Sequence, residues 1–308
     1  MPGEVSKPPL RGIIPPMATP LAGPDELDLS GLERLIDHIL AGGVHGLFLL
    51  GTTGEGPALS YRLRRELIRR TCAKVAGRVP VLVGVMDSAC AEMLQMAGWA
   101  AELGASAIVV APPYYFRLGQ PDLLRLIERL AAQSVLPLYL YNQPELTKMS
   151  ISPETVETAS RIPNVAGIKD SSGDMGYLKA ILDRVGGQPA FSVLVGPEHL
   201  LWEALRSGAH GGVPGGANLY PELAVRLYEE WMRGHEGAAQ ELQERMVALG
   251  SPIWNAGEAG PGSIRRLKTA LNLLGLCSAT PAWPYVESSA AERRQIEEHL
   301  SRHGMLVR

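Results

Sequence analysis

Lys169 closes the apolar run Val165-Ala166-Gly167-Ile168, and an amine held at the end of such a run has a chemistry that a solvated lysine lacks. Desolvation disfavours the ammonium form and lowers its pKa, leaving a neutral amine able to attack a carbonyl and form a Schiff base. The run equally admits an exposed strand end at which Lys169 pairs with Asp170 or Asp174. Tyr141 closes the preceding run, Leu136 to Tyr141. A phenol beside an imine can carry protons to and from substrate oxygen and carbon; the alternative is a structural phenol bonded to a carbonyl. Gly51-Thr52-Thr53-Gly54-Glu55-Gly56 follows another apolar run. Its glycines permit a tight turn in which hydroxyls and backbone N–H groups face an anion, although turn threonines also serve structure alone. Pro112-Pro113-Tyr114-Tyr115 follows a further run, and its aromatics suit a site or an interface.

These groups need elements that bring the ends of separate runs together. Eight candidate strands can be counted: 12–17, 45–50, 79–85, 107–111, 136–141, 165–169, 191–195 and 209–213. Between them lie amphipathic segments such as Leu32-Leu35-Ile36-Ile39-Leu40 and Leu123-Leu124-Leu126-Ile127-Leu130, with the i, i+3, i+4 spacing of one helical face. Strands apolar on successive residues, as in Leu47-Phe48-Leu49-Leu50, suit a parallel sheet covered on both sides. Eight β-then-α units in series predict an α/β fold, a closed (β/α)8 TIM barrel; a doubly wound open sheet is the alternative. The barrel is expected over residues 12–234, preceded by a disordered lead at 1–11. A C-terminal helical extension packed on the barrel is expected at 235–308, with helices near 236–249, 263–274 and 290–300 and a flexible joint at Ala256 to Gly262. In such a barrel the reactive groups gather at the C-terminal ends of the strands, where Lys169, Tyr141 and the Thr52-Thr53 turn all fall.

Composition excludes some functions. The 308 residues are 46% hydrophobic and carry 29 basic against 32 acidic side chains, a net charge of −3, so no basic footprint for nucleic acid or an anionic membrane exists. No apolar stretch has the length of a signal peptide core or membrane span, and Cys72, Cys90 and Cys277 have neither disulfide-scaffold nor zinc spacing, which favours a reducing cytoplasm. His299 and His303 are one helical turn apart without the acid of a His-Glu-x-x-His site, and read as a solvated terminal turn. Only six basic residues are lysines. Lys7 lies in the lead, Lys74, Lys179 and Lys268 fall in helical segments as expected surface charge, and Lys148 lies in a loop. Lys169 alone ends a strand.

In order along the chain, Gly51-Thr52-Thr53-Gly54-Glu55, Pro113-Tyr114-Tyr115, Tyr141-Asn142 with Pro144, Gly167-Ile168-Lys169-Asp170, and His210-Gly211-Gly212-Val213 with Ala217-Asn218 form a specific set. Through them the chain resembles the dihydrodipicolinate synthase and N-acetylneuraminate lyase family of class I aldolases, over about residues 10–300. The resemblance implies that Lys169 forms the Schiff base with pyruvate or another 2-oxo acid and that Tyr141 is the proton donor and acceptor. Thr52 and Thr53 would hold the substrate carboxylate beside Gly51, with the carbonyl of Val213 near the imine. Tyr115 would complete a proton relay with Thr52 and Tyr141 across a dimer interface, in a homodimer or homotetramer. No metal or diffusible cofactor is implied. The imine serves retro-aldol cleavage, aldol addition or dehydration alike.

One position departs from the family pattern. Synthase members carry an arginine two residues after the proline of Tyr-Asn-x-Pro, where this chain has Leu146. Leucine cannot hydrogen-bond a carboxylate. The expectation is therefore an aldolase joining or cleaving pyruvate and an aldehyde rather than a 4-hydroxy-tetrahydrodipicolinate synthase, with Lys148 as the replacement cation. A 2-keto-3-deoxy sugar-acid dehydratase and a non-catalytic 2-oxo-acid sensor are the remaining readings.

Overall fold

Short apolar runs between helix-period segments fold as a closed ring in the computed structural model, which describes residues 9–254 and 261–306. The strands are β1 (Gly12–Ile13), β2 (Leu21–Gly23), β3 (Glu26–Leu27), β4 (Leu47–Leu49), β5 (Val81–Gly84), β6 (Ala107–Val110), β7 (Leu138–Asn142), β8 (Val165–Asp170), β9 (Ser192–Val195) and β10 (Gly211–Gly212). Eight of them pair in parallel in the order β1-β10-β9-β8-β7-β6-β5-β4. The ring closes where the Met17 N–H donates to the Phe48 carbonyl and the Phe48 N–H to the Pro15 carbonyl, both at 2.9 Å. β1 is shorter than expected because Pro15 and Pro16, which follow it, have no N–H to give the ladder. β2 and β3 form a small antiparallel hairpin that the sequence reading did not contain.

Each barrel strand is followed by a helix, and side-chain caps fix several starts: Asp28 accepts from the Gly31 N–H, Ser60 from Leu63, Ser152 from Thr155 and Asp174 from Gly176. The helix Leu29–Ala41 buries Leu32, Leu35, Ile36 and Ile39, the face that its spacing predicts. Two apolar cores result. The larger lies between the sheet and its helices, and the smaller fills the barrel with Ile14, Phe48, Leu82, Val109, Tyr139 and Leu194 among others.

After the barrel come helices Glu236–Trp254, Pro261–Leu273 and Ala290–Arg302, each within a few residues of the expected segment but the first extended to Trp254. Most of the expected lead (residues 1–8) and of the expected joint (256–260) lies outside the described residues. Among the described residues no helix is long and apolar enough to cross a membrane.

Candidate active site

A one-residue irregularity in β8 decides where Lys169 points. Leu138 pairs with Val165 but Tyr139 pairs with Gly167, so Ala166 is an extra residue on β8. Side-chain direction alternates along a strand, so one inserted residue exchanges the faces of everything beyond it. Ile168 accordingly joins the outer core, while Lys169 enters the barrel level with its pairing partners Tyr141 and Leu194. Gly167 is required at the turn of parity: a Cβ there would lie 2.7 Å from the Tyr139 ring and 2.5 Å from the Ser192 carbonyl oxygen.

Lys169 is 6% exposed, with its Nζ 4.2 Å from the centre of the Tyr141 ring and 5.0 Å from that of Phe48. The two acids of the exposed-end reading are engaged elsewhere. Asp170 accepts from Asn142 Nδ2 at 2.8 Å and from the Ser172 hydroxyl at 2.9 Å, and burial pushes its carboxyl above the usual carboxylate range. Asp174 caps the following helix. Among the described residues no ion pair involves Lys169.

The Tyr141 hydroxyl lies 3.1 Å from Thr52 Oγ1, and its ring meets Phe48 edge-on at 6.2 Å between centroids. Phenol, threonine and amine therefore share one space, as their strand-end positions predict. The turn that carries Thr52 and Thr53 is sharply built, with Leu50 at φ 59° and Glu55 at φ 55°, both left-handed. Such conformations cost a side-chain-bearing residue roughly 1–2 kcal/mol and persist where the surroundings hold them. The Thr19 hydroxyl donates to the Gly54 carbonyl at 2.7 Å, and a Cβ on Gly56 would lie 2.1 Å from the Leu50 carbonyl oxygen. Gly51 shapes this turn rather than lining the site, since a Cβ there would strike the Phe48 ring at 2.5 Å.

Thr52, Thr53, Tyr141, Lys169 and Val213 line a cavity of about 560 Å³ at the barrel mouth. Other expected residues stand outside it. Tyr115 is 77% exposed and packs edge-on against Phe116 at 5.0 Å. Leu146 is partly exposed, and Lys148 turns back so that its Nζ donates to the Glu145 carbonyl at 2.5 Å. Both are absent from the cavity wall, to which Gln143 and Glu145 of the same loop contribute instead, so Lys148 does not face the site as the missing cation. Pro144–Thr147 of this loop forms one helical turn, which ends at Lys148 in a left-handed conformation, φ 60°. Asn142 anchors it by accepting from the Ile151 N–H at 3.0 Å.

The distal wall was not read from the sequence. Val247, Ser251 and Trp254 project into the cavity from the C-terminal helix Glu236–Trp254, at a helical spacing that could have marked one face. That helix is fastened by Glu198. Its carboxylate accepts from the Tyr220 hydroxyl at 2.7 Å, Trp254 Nε1 at 2.7 Å and the Gly216 N–H at 2.6 Å, and burial pushes its pKa up.

Lys268 corrects one expectation outright. It is not surface charge but wholly buried, ion-paired with Glu55, whereas Lys74 and Lys179 do pair with Asp37 and Glu203 near the surface. The helix that carries it is buried nearly all round, packed against the helices Glu236–Trp254 and Ala290–Arg302, so its buried polar residues, Arg266 and Thr269 among them, gave no sign of their burial. Among the described residues no three or more His, Cys, Asp or Glu side chains are placed to hold a metal ion.

Comparison with known proteins gives a consistent result. The chain matches the model of the dihydrodipicolinate synthetase family over residues 9–303. It is similar to a dihydrodipicolinate synthase structure from Bacteroides thetaiotaomicron, at 45% identity and TM-score 0.92 over 96% of this chain and 99% of that one. A structure of YagE, a prophage protein of Escherichia coli K12 solved in complex with pyruvate, superposes with TM-score 0.90 at 29% identity, over 96% and 99%. The YagE sequence, provisionally named a 2-dehydro-3-deoxy-D-gluconate aldolase, is 32% identical over 94% of this chain and 96% of its own length. With a lysine inside a closed barrel, a phenol beside it and a family match over nearly its whole length, the chain belongs to the dihydrodipicolinate synthetase family and is a Schiff-base-forming carbon–carbon lyase.

Proposed function

We propose that Lys169 forms an imine with the keto carbon of pyruvate, or of the pyruvate end of a longer 2-oxo acid, and that Tyr141 handles the protons. The observation that carries this reading is the enclosed Lys169 amine, held against the Tyr141 ring whose hydroxyl meets Thr52. The amine adds to the keto carbon and water leaves. In the cleavage direction Tyr141 takes the proton of the C4 hydroxyl, the C3–C4 bond breaks, and its electron pair passes to the iminium nitrogen, giving an enamine and an aldehyde. Protonation at C3 and hydrolysis of the imine release pyruvate. Thr52 and Thr53 hold the carboxylate, with the carbonyl of Val213 near the imine; all three residues line the cavity.

The tail of the substrate is read from the charges of the cavity. Among the described residues no arginine lines it, and the acids that do are Glu145 and the fully engaged Glu198. Gln143 Oε1 is buried without a partner, and Ser171 and Ser251 also line the cavity. An uncharged, hydroxylated aldehyde matches these groups, whereas an aldehyde bearing a carboxylate would meet Glu145 with no guanidinium to offset it. The relatives' names divide along this line, one being a synthase and another a sugar-acid aldolase.

Tyr115 reaches the site from a second copy of the chain in this reading, through a face that also exposes Tyr114 and Phe116, in a cytoplasmic homodimer or homotetramer. Borohydride reduction in the presence of pyruvate tests the chemistry: one pyruvyl adduct on Lys169 is expected, and an adduct that persists in Lys169→Ala would defeat the assignment. Product analysis with 2-keto-3-deoxy sugar acids then separates cleavage to pyruvate from dehydration.

A further inference from the structure

The buried pair Glu55–Lys268 stands outside the chemistry described so far, yet only Gly54 separates Glu55 from Thr53 of the site. Glu55 ends the turn that carries Thr52 and Thr53, its N–H donating to the Thr52 carbonyl at 3.0 Å. Its left-handed backbone sends the side chain away from the cavity, which it does not line, and into the C-terminal extension. There one carboxylate oxygen is ion-paired with Lys268 Nζ, and the other accepts from the Ala282 N–H at 2.6 Å. Lys268 Nζ also donates to the Thr280 carbonyl at 2.8 Å. Glu55 is 4% exposed and Lys268 not at all.

Lys268 is thus a second enclosed lysine, but it does not line the barrel-mouth cavity and faces a carboxylate, so it is not placed to meet the carbonyl substrate there. Its reach is indirect. A fully desolvated ion pair is rigid, because moving either partner leaves an uncompensated charge in a medium that cannot solvate it. The groups that this pair immobilises are the far end of the Thr52-Thr53 turn on one side and the segment Thr280 to Ala282 on the other. We infer that Glu55 and Lys268 are positioning residues for the carboxylate cradle: the C-terminal extension, through this clasp, sets the geometry in which Thr52 and Thr53 receive the 2-oxo acid. The inference rests on the reading of those threonines as the cradle. It differs from mere stabilisation because it locates the effect in pyruvate affinity.

Pyruvate alone is a sufficient probe, since imine and enamine formation exchange its methyl protons for solvent deuterium without any aldehyde. The full chain is compared with two variants. Glu55→Gln/Lys268→Met removes both charges together and so avoids an orphaned buried ion, while Glu55→Asp keeps both charges and withdraws the carboxylate by one methylene. Exchange is followed by proton NMR against pyruvate concentration, with thermal unfolding recorded beside it. The expected result is a rise of about tenfold or more in the pyruvate concentration for half-maximal exchange, with a much smaller change in the saturating rate and with Lys169 still trapped by borohydride. If the double variant does not fold, Glu55→Asp carries the same readout. Unchanged half-saturation in the folded variants would overturn the inference. A wild-type protein that yields no Lys169 adduct would instead overturn the aldolase reading beneath it.

Discussion

Tyr141→Phe separates chemistry from architecture, because the structure gives the ring and the hydroxyl different tasks. The ring packs under Lys169 Nζ at 4.2 Å and edge-on to Phe48, and phenylalanine keeps both contacts. Among the described residues the hydroxyl has one hydrogen-bond partner, Thr52 Oγ1 at 3.1 Å. Losing one such bond costs roughly 0.5–1.5 kcal/mol of stability. Losing a positioned proton carrier slows the reaction by about 100- to 10,000-fold, or about 2.7–5.4 kcal/mol in the barrier. The variant is therefore expected to unfold within a few degrees of the wild type and still to form the borohydride-trapped adduct on Lys169. Exchange of the pyruvate methyl protons into deuterium oxide should fall by at least a hundredfold. Thr52→Val removes the same hydrogen bond from the other side and should give a smaller loss. A double variant no slower than Tyr141→Phe would show that the threonine acts through the phenol. Exchange within tenfold of the wild type in Tyr141→Phe would refute the assignment of Tyr141, and loss of the adduct in step with exchange would refute the separation of ring from hydroxyl.

Gly167→Ala places a Cβ 2.7 Å from the Tyr139 ring, so overpacking should cost about 1–3 kcal/mol, seen as a lowered midpoint in thermal unfolding, with an unchanged midpoint contradicting the role given to that glycine. Burial lowers the pKa of His38, His45 and His210 below the ordinary 6.5. A depressed folded-state pKa means that the unfolded chain binds the proton more tightly. Their contribution is therefore complete above pH 6.5 and is lost as pH falls through the lower folded values. The thermal midpoint should decline across that acid range, and a midpoint that rises there would contradict their neutral burial.

The barrel was legible because its signal is local: apolar runs covered on both faces, each followed by a segment of helical period. Strand lengths were less so, since Pro15 and Pro16 cut β1 at two residues although the run reads as six. Thr52, Tyr141 and Lys169 were legible as strand-end residues, and the register Tyr141 to Lys169 brings them level. That Lys169 points inward was not legible, because it depends on Ala166 being inserted against a neighbouring strand. Lys268 and Glu198 were missed for a related reason. Their partners lie far along the chain, and a helical lysine buried against Glu55 has the same local sequence as one in water. Tyr115 was placed by resemblance alone, and within one chain it remains at the surface.

The position of the clasp has a consequence for how the protein is made. Thr52, Tyr141 and Lys169 are all synthesised before the C-terminal helices, and the last barrel strand is complete by Gly212. Lys268, Thr280 and Ala282, which hold the turn beside Thr52, are made only after the barrel and the helix Glu236–Trp254. The nascent barrel therefore carries its reactive lysine and phenol for some time with Glu55 unpaired and the wall from Val247 to Trp254 not yet in place. Synthesis through Ala282, rather than closure of the barrel, is the event that makes the site whole.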